Sequence, residues 1–254
     1  MLYRPLFWTA FWCEDWLNAF DYRGASHVLI SSASAKTAFC LAYLLGKRRQ
    51  RTPTRACKIV GMTSKRNVAF TQELKLYDAV IEYDNLTSAE ILKLSAEKWL
   101  YIDVAGSDEL NAKVQAHFST SNSLVASIQL GLTNLSPSAP SAASTKFTTN
   151  TSLSSPSASS SKGKLEMEQF FMPEWLAVQR KRLRIDEITN MQALAWRDLM
   201  TEGTSWVRIE RVYGGNAIER AYREVAVKGT DPRTGMIWSL WDSPELERGV
   251  RPRL

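Results

Sequence analysis

The sequence predicts an α/β fold, in which a doubly wound parallel sheet covered by helices is followed by a mostly helical C-terminal extension. Over the first half of the chain, short apolar runs rich in β-branched residues alternate with segments of helical periodicity. Strands and helices that alternate at this spacing form parallel sheets with both faces covered. The chain is 44% hydrophobic and 10% aromatic, which provides enough apolar side chains for a large core.

The first helix is predicted over about residues 6–20, where heavy aromatic side chains recur every four positions. A strand near residues 27–30, a turn of small residues and a helix that ends at Gly46 follow. The same alternation then predicts a strand at 57–63, a helix at 67–75, a strand at 79–83, a helix at 88–96, a strand at 99–105, a helix at 109–118 and a strand at 123–129.

The segment 136–164 differs in kind from its surroundings, because 11 of its 29 residues are serine. Such a stretch buries too little apolar surface to offset its ordering entropy, so we predict a disordered insert. Beyond it the periodicity predicts helices at 166–184 and 186–202, a strand at 206–213, a helix at 216–228 and a terminal strand after the turn at 229–235.

Composition excludes several classes of protein. The chain has two histidines and three cysteines without C-x-x-C spacing, so we expect no metal site and no disulfide framework. The net charge is +6, but the basic clusters at 47–58 and 180–184 lack a groove-reading motif, so we expect solvated surfaces. The alternative for these clusters is binding to nucleic acid, which would depend steeply on salt. No apolar stretch is long enough to span a membrane, and no secretory signal is visible, which together predict a cytoplasmic protein without a membrane partner.

The turn between the first strand and its helix contains the first candidate site residues. In doubly wound sheets, this turn presents backbone N–H groups and a helix N-terminus to a phosphate. Here the turn has no glycine, so serine and alanine must permit the close approach of the backbone. The hydroxyls and the cation of Ser32, Ser34, Lys36 and Thr37 suit a pyrophosphate. The alternative is a serine-rich turn that binds no ligand.

The second strand ends in a loop that suits a phosphorylated ribose. NAD-binding folds usually place an acidic residue there for the ribose hydroxyls, whereas the 2′-phosphate of NADP requires hydroxyls and cations. Ser64, Lys65 and Arg66 supply these groups, and no acidic residue competes with them. The predicted cofactor is therefore NADP (NADPH), unless the loop is simply solvated.

Five strings carry a family resemblance: MLYRPLFWTAFWCEDWL (1–17), VLISSASAKTA (28–38), VGMTSKRNVAF (60–70), YDAV (77–80) and YIDVAG (101–106). They resemble domain-of-unknown-function family 2855, which is similar to the medium-chain dehydrogenase/reductase superfamily that includes the quinone oxidoreductases. The resemblance covers most of residues 1–134 and, more loosely, 170–254. It implies a Rossmann-like domain of an NADPH-preferring oxidoreductase that acts on a quinone, an activated alkene or a carbonyl compound, in secondary metabolism. It supplies no individual substrate and no catalytic residue.

The resemblance also implies a domain organisation. Superfamily members begin with a GroES-like domain, which this chain is expected to lack, because its first residues match the connecting helix. The expected division is a connecting helix at 1–22, a Rossmann-like nucleotide-binding domain at 23–135, the Ser-rich insert at 136–164, and a C-terminal segment at 165–254 packed on the Rossmann-like part. Asn134 falls where the family tends to have histidine in a Gly-x-Thr-His pattern.

Further roles follow from the same likeness. Asp103 and Gly106 are expected near the ribose or nicotinamide end of the cofactor. Tyr3 and Thr9 either approach the nicotinamide from the first helix or are simply packed there. The alternative function is a catalytically inactive Rossmann-like binding or interaction protein. In that case the aromatic first helix would be an exposed contact, such as one between two copies of the chain.

Overall fold

The computed structural model describes residues 3–53, 57–93, 97–119, 121–130 and 167–244. The predicted Ser-rich insert and Asn134 lie outside these residues. The chain divides into two compact units, Met1–Leu194 and Ala195–Leu254. Each unit is considered by itself below.

The first unit contains six strands and their connecting helices. In chain order these are α1 (Arg4–Ala19), β1 (His27–Ile30), α2 (Lys36–Arg51), β2 (Lys58–Thr63), α3 (Val68–Glu73), β3 (Ala79–Glu82), β4 (Trp99–Asp103), α4 (Asp108–Ser119), β5 (Leu124–Leu130), β6 (Met167–Phe170) and α5 (Met172–Gln179). Helix α6 (Ile185–Glu202) begins in this unit and ends in the second.

The strands form one sheet in the order β3-β2-β1-β4-β5-β6, and every neighbouring pair is parallel. This is the strand order of the Rossmann fold. Strands are added on one side of β1 up to β3 and on its other side from β4, so the strand order reverses between β1 and β4. β1 and β4 are buried along their whole length. The predicted doubly wound α/β fold is therefore confirmed.

The aromatic helix α1 is buried within its own chain. Phe7, Trp12 and Trp16 are each at most 2% exposed, and α1 packs on α2 and α5. On the α2 side, the buried Glu14 carboxylate accepts two hydrogen bonds from Arg48, at 2.9 and 2.8 Å. The heaviest side chains of α1 therefore complete the core of this unit. A contact between two copies of the chain through this helix stays a prediction.

Three predicted helices differ from the structure. The helix expected to end at Gly46 continues to Arg51, because one glycine inside a helix costs only about 0.5–1 kcal/mol. The helix expected at 88–96 is a short 3₁₀ turn at Glu90–Lys93, within the part of the segment that is described. The helix expected from 166 begins only at Met172, because residues 167–170 pair with β5 as a sixth parallel strand. Unlike β1 and β3, which are equally short, β6 has no apolar, β-branched run, since Glu168 and Gln169 occupy its middle. Its pairing with β5 therefore determines its conformation.

The second unit contains a strand-helix-strand arrangement. Strands β7 (Arg208–Tyr213) and β8 (Thr234–Ser239) are parallel, and α7 (Gly215–Lys228) connects them. The Tyr222 ring on α7 contacts the Trp238 ring on β8, with centroids 6.2 Å apart. The predicted strand, helix and terminal strand are all present. Among the described residues, no helix is both long and apolar enough to cross a membrane.

Candidate functional site

The candidate site lies at the carboxyl ends of β1, β2 and β4. β1 is hydrogen-bonded to both of the other strands, with Ile30 level with Gly61 on one side and Ile102 on the other. The strand order reverses between β1 and β4. Ligands of open α/β sheets bind in the crevice outside the carboxyl ends of the strands at such a reversal. The loops that follow these three strands therefore define the site.

The loop after β1 is a turn without glycine that leads directly into α2. Ser32 has a φ of +48°, in the left-handed region, and its carbonyl oxygen accepts the N–H of Ala35 at 2.7 Å. Ala35 is the N-cap residue of α2 and has no polar side chain with which to cap the helix. The first N–H groups of an α-helix lack intrahelical acceptors, so this helix start is a suitable place for an anion.

The beginning of this turn is tied to the loop after β4. The hydroxyl of Ser31 donates to the Asp103 carboxylate at 3.0 Å and accepts the N–H of Val104 at 2.8 Å. Asp103 also accepts the N–H of Gly106 and the side-chain amide of Asn111, at 2.9 and 2.8 Å. Both carboxylate oxygens thus have partners and Asp103 is fully buried. This position suits a residue that shapes the loop. That Asp103 lies near the ribose or nicotinamide end of the cofactor stays a prediction.

The middle of the turn is tied to β2 and to the segment that follows α3. The N–H of Ala33 donates to the carbonyl of Met62 at 2.8 Å, and the hydroxyl of Tyr77 donates to the carbonyl of Ala33 at 2.8 Å. Gly61 makes this close approach possible, since a Cβ atom there would lie 2.7 Å from the Cβ of Ala33. The turn therefore rests directly on the middle of β2.

The end of the turn is tied to the loop after β2. The Ser34 hydroxyl accepts hydrogen bonds from Thr63 Oγ1 at 3.2 Å and from Asn67 Nδ2 at 3.1 Å. Ser34 and Thr63 are buried, whereas Lys65 and Arg66 are exposed on a 3₁₀ turn before α3. Ser34 is therefore the direct link between the two predicted phosphate-binding loops.

The remaining predicted residues lie on the same loops. Lys36 and Thr37 are half-buried in the first turn of α2, and Ser64 is half-buried just after β2. Gly106 has a φ of +65° in the loop after β4, a conformation that favours glycine. The structure therefore brings the residues predicted from sequence to the carboxyl ends of three adjacent strands.

The two residues suggested for the first helix make packing and helix contacts. The Thr9 hydroxyl donates to the carbonyl of Pro5 in the preceding turn of α1, at 3.2 Å. The Tyr3 ring packs edge-on against Phe39 of α2, and burial raises the pKa of Tyr3 above its usual value. These contacts are those of packed helix residues.

Sequence reasoning missed two tyrosines that hold the first turn. Tyr77 and Tyr83 flank β3, and both hydroxyls reach the turn after β1. Burial raises the pKa of Tyr77 well above the usual value, so this hydroxyl stays protonated and acts as a hydrogen-bond donor. The only sign of them in the sequence is a tyrosine on each side of the short strand β3. That their hydroxyls reach the turn after β1 could not be predicted without the three-dimensional structure.

The described residues contain no group of three His, Cys, Asp or Glu side chains that could hold a metal ion. The donors gathered at the site are instead backbone N–H groups, hydroxyls, the half-buried Lys36 and the exposed cations Lys65 and Arg66. This donor set fits the phosphates of a dinucleotide and the 2′-phosphate of NADP.

Several solved structures are similar to this chain at low sequence identity. The E. coli K-12 YhdH structure with bound NADPH is 13% identical, with a TM-score of 0.44 over 91% of this chain and 61% of that one. CurA from Vibrio vulnificus in complex with NADPH is 11% identical, with a TM-score of 0.47 over 91% and 63% of the two chains. The quinone oxidoreductase from Coxiella burnetii is 15% identical, with a TM-score of 0.42 over 88% and 56%. The present chain thus spans about three fifths of the length of these structures.

No curated protein matches the sequence. A family model does match it, over residues 1–231 of 254, and its description is "Protein of unknown function (DUF2855)". Since the match covers most of the chain, the resemblance noted from the sequence is confirmed. The chain belongs to the DUF2855 family.

Proposed function

We propose that this chain is the NADP(H)-binding part of an oxidoreductase that acts on a quinone, an activated alkene or a carbonyl compound. The observation that carries the proposal is the link made by Ser34. Its hydroxyl joins the turn before α2 to Thr63 and Asn67, which flank the loop with Lys65 and Arg66. A site for a pyrophosphate and a site for a second phosphate are thereby held together on adjacent strands.

The pyrophosphate is assigned to the start of α2. The donors there are the first N–H groups of α2, the hydroxyls of Ser32 and Thr37, and the ammonium group of Lys36. Ser34 acts beneath them, because its buried hydroxyl is engaged with the loop after β2. Negative charge at a helix N-terminus is stabilised by the backbone dipoles, and a cation adds to this attraction.

The 2′-phosphate is assigned to Ser64, Lys65 and Arg66. The loop has no carboxylate that would accept the ribose hydroxyls of NAD or repel a phosphate, since the sequence from Lys58 to Gln72 contains no acidic residue. Two exposed cations and a hydroxyl favour a dianion over a pair of neutral hydroxyl groups. NADPH should therefore bind more tightly than NADH.

The loop after β4 is assigned to shaping the crevice. Asp103 holds the N–H of Gly106 and, through Ser31, the N–H of Val104. A fixed loop at this place would orient the part of the cofactor that lies over the carboxyl end of β4. The cofactor, when bound, supplies the hydride for reduction, and the protein contributes binding and orientation.

The proposal is tested by charge removal with a matched control. Lys65→Ala combined with Arg66→Ala should weaken NADPH binding by at least about tenfold and leave NADH binding nearly unchanged, because each lost charge-assisted hydrogen bond is worth about 1.5–3 kcal/mol. The control is Lys181→Ala with Arg182→Ala, an exposed Lys-Arg pair of equal charge between α5 and α6. An equal loss in both variants would mean that general charge, and not this loop, attracts the nucleotide.

The substrate class is tested after binding. A screen of quinones, enones and aldehydes with NADPH should show oxidation of the cofactor, followed by its absorbance. Tight NADPH binding without turnover of any member of the screen would favour the alternative, a catalytically inactive binding protein.

A further inference from the structure

The turn after β1 places a serine where glycine would normally be needed. Ser32 has a φ of +48°. This left-handed region is disfavoured for residues that carry a Cβ atom, and a single residue remains there when its surroundings hold it. In glycine-rich nucleotide-binding turns, glycine adopts such conformations at no steric cost. The glycine-free turn must therefore be stabilised from outside.

Tyr83 supplies a hydrogen bond to this residue. It follows β3 directly, as the first residue of a 3₁₀ turn at Tyr83–Asn85. Its hydroxyl oxygen accepts the N–H of Ser32 at 2.9 Å and lies 3.2 Å from the Ser32 hydroxyl. The Tyr83 ring packs against the buried cluster of the sheet, which includes Leu29 and Val60. Packing thus fixes the ring, and the ring fixes the hydroxyl against the turn.

The carbonyl of Ser32 is held on its other side. It accepts the N–H of Ala35, at 2.7 Å, and thereby closes the turn that starts α2. The orientation of the Ser32 peptide consequently decides where α2 begins and where its first N–H groups point. A change in the Ser32 conformation would move these donors away from the position assigned to the pyrophosphate.

We propose that Tyr83 is a positioning residue that keeps the glycine-free turn in its phosphate-binding shape. This inference rests on the proposed function, because the shape matters for affinity only if the turn binds a nucleotide. In other turns glycine adopts this backbone conformation without cost, whereas here a hydrogen bond to a tyrosine hydroxyl two strands away stabilises it. It follows that a glycine at position 32 makes the hydroxyl of Tyr83 dispensable.

The test is a double-mutant cycle of Tyr83→Phe and Ser32→Gly in the full chain. The phenylalanine keeps the packed ring and removes the hydroxyl. With serine at position 32, Tyr83→Phe should weaken NADPH binding about fivefold to tenfold, measured by nicotinamide fluorescence. With glycine there, the same change should alter the dissociation constant by less than about twofold. The control Tyr222→Phe, at an exposed tyrosine of α7, should leave it unchanged.

Two results would overturn the inference. Tighter binding by Tyr83→Phe would mean that the hydroxyl competes with the nucleotide for the N–H of Ser32. An equal loss with serine and with glycine at position 32 would mean that Tyr83 contacts the nucleotide directly and does not act through the turn.

Failure of the proposed function gives a different result. The wild-type chain would then bind neither NADPH nor NADH. The same four proteins are therefore also compared by urea unfolding without nucleotide. Tyr83→Phe should lower the urea midpoint with serine at position 32 and hardly change it with glycine, and an equal decrease in both backgrounds would show that Tyr83 does not hold Ser32.

Discussion

Gly61 in the middle of β2 is expected to be one of the glycines least tolerant of a side chain among those whose surroundings are described. A Cβ atom there would lie 2.7 Å from the Cβ of Ala33 and 2.9 Å from the ring of Tyr77. The Ala33 Cβ is attached to the backbone of the first turn, which is itself hydrogen-bonded to Met62 and cannot rotate away. Adding a methyl group to a packed core costs about 1–3 kcal/mol, and we expect Gly61→Ala to cost about 3 kcal/mol.

The assay is urea unfolding of Gly61→Ala beside Gly46→Ala. Gly46 lies within α2, and a Cβ atom at this position would meet no neighbouring side chain within 4 Å, so alanine there should stabilise the chain by about 0.5–1 kcal/mol. Ala33→Gly removes the nearest contact and should restore part of the stability lost by Gly61→Ala. A loss below about 0.5 kcal/mol in Gly61→Ala would refute the idea that the first turn rests tightly on β2.

Two further predictions concern stability. Arg48→Met leaves the buried Glu14 carboxylate without its paired cation and should cost about 3 kcal/mol in urea unfolding. The control Arg49→Met, at an exposed pair with Asp78, should cost less than about 1 kcal/mol. Equal losses would contradict the importance of the pair between Arg48 and the buried Glu14. Burial lowers the pKa of His27 below 6.5, so the unfolded chain binds a proton more readily and stability should fall as the pH decreases below 6.5 through the native pKa. His27→Asn should make the stability less dependent on pH in this range, and an unchanged dependence would exclude His27 as its source.

The order of elements could be predicted because each long element carries its own period. The heavy side chains of α1 recur every four positions, and the apolar runs of β1 and β4 are continuous because both strands are buried on both faces. β6 lacked such a signal. Its four residues become a strand through their pairing with β5, which a local pattern does not contain.

The candidate site was predicted in its location and only partly in its contacts. Parallel strands present their carboxyl ends at one edge, so Ser34 and Arg66 could be assigned to neighbouring loops from the sequence. The role of Asp103 could not be predicted, because a carboxylate at the end of a strand can either face a ligand or hydrogen-bond to the loop that follows the strand. Tyr83 was missed for a similar reason, since its hydroxyl acts across the width of β2 on a residue 51 positions away.

The central claim is that the loops after β1 and β2 bind NADP(H). The most direct measurement is an equilibrium titration of the full chain with NADPH and NADH under the same salt conditions, followed by nicotinamide fluorescence and thermal stability, since a ligand that binds the folded state raises its apparent stability. The account predicts that NADPH binds at least about tenfold more tightly than NADH, because the 2′-phosphate gains charge-assisted hydrogen bonds. Binding of neither nucleotide at millimolar concentration, or equal binding of both, would contradict it.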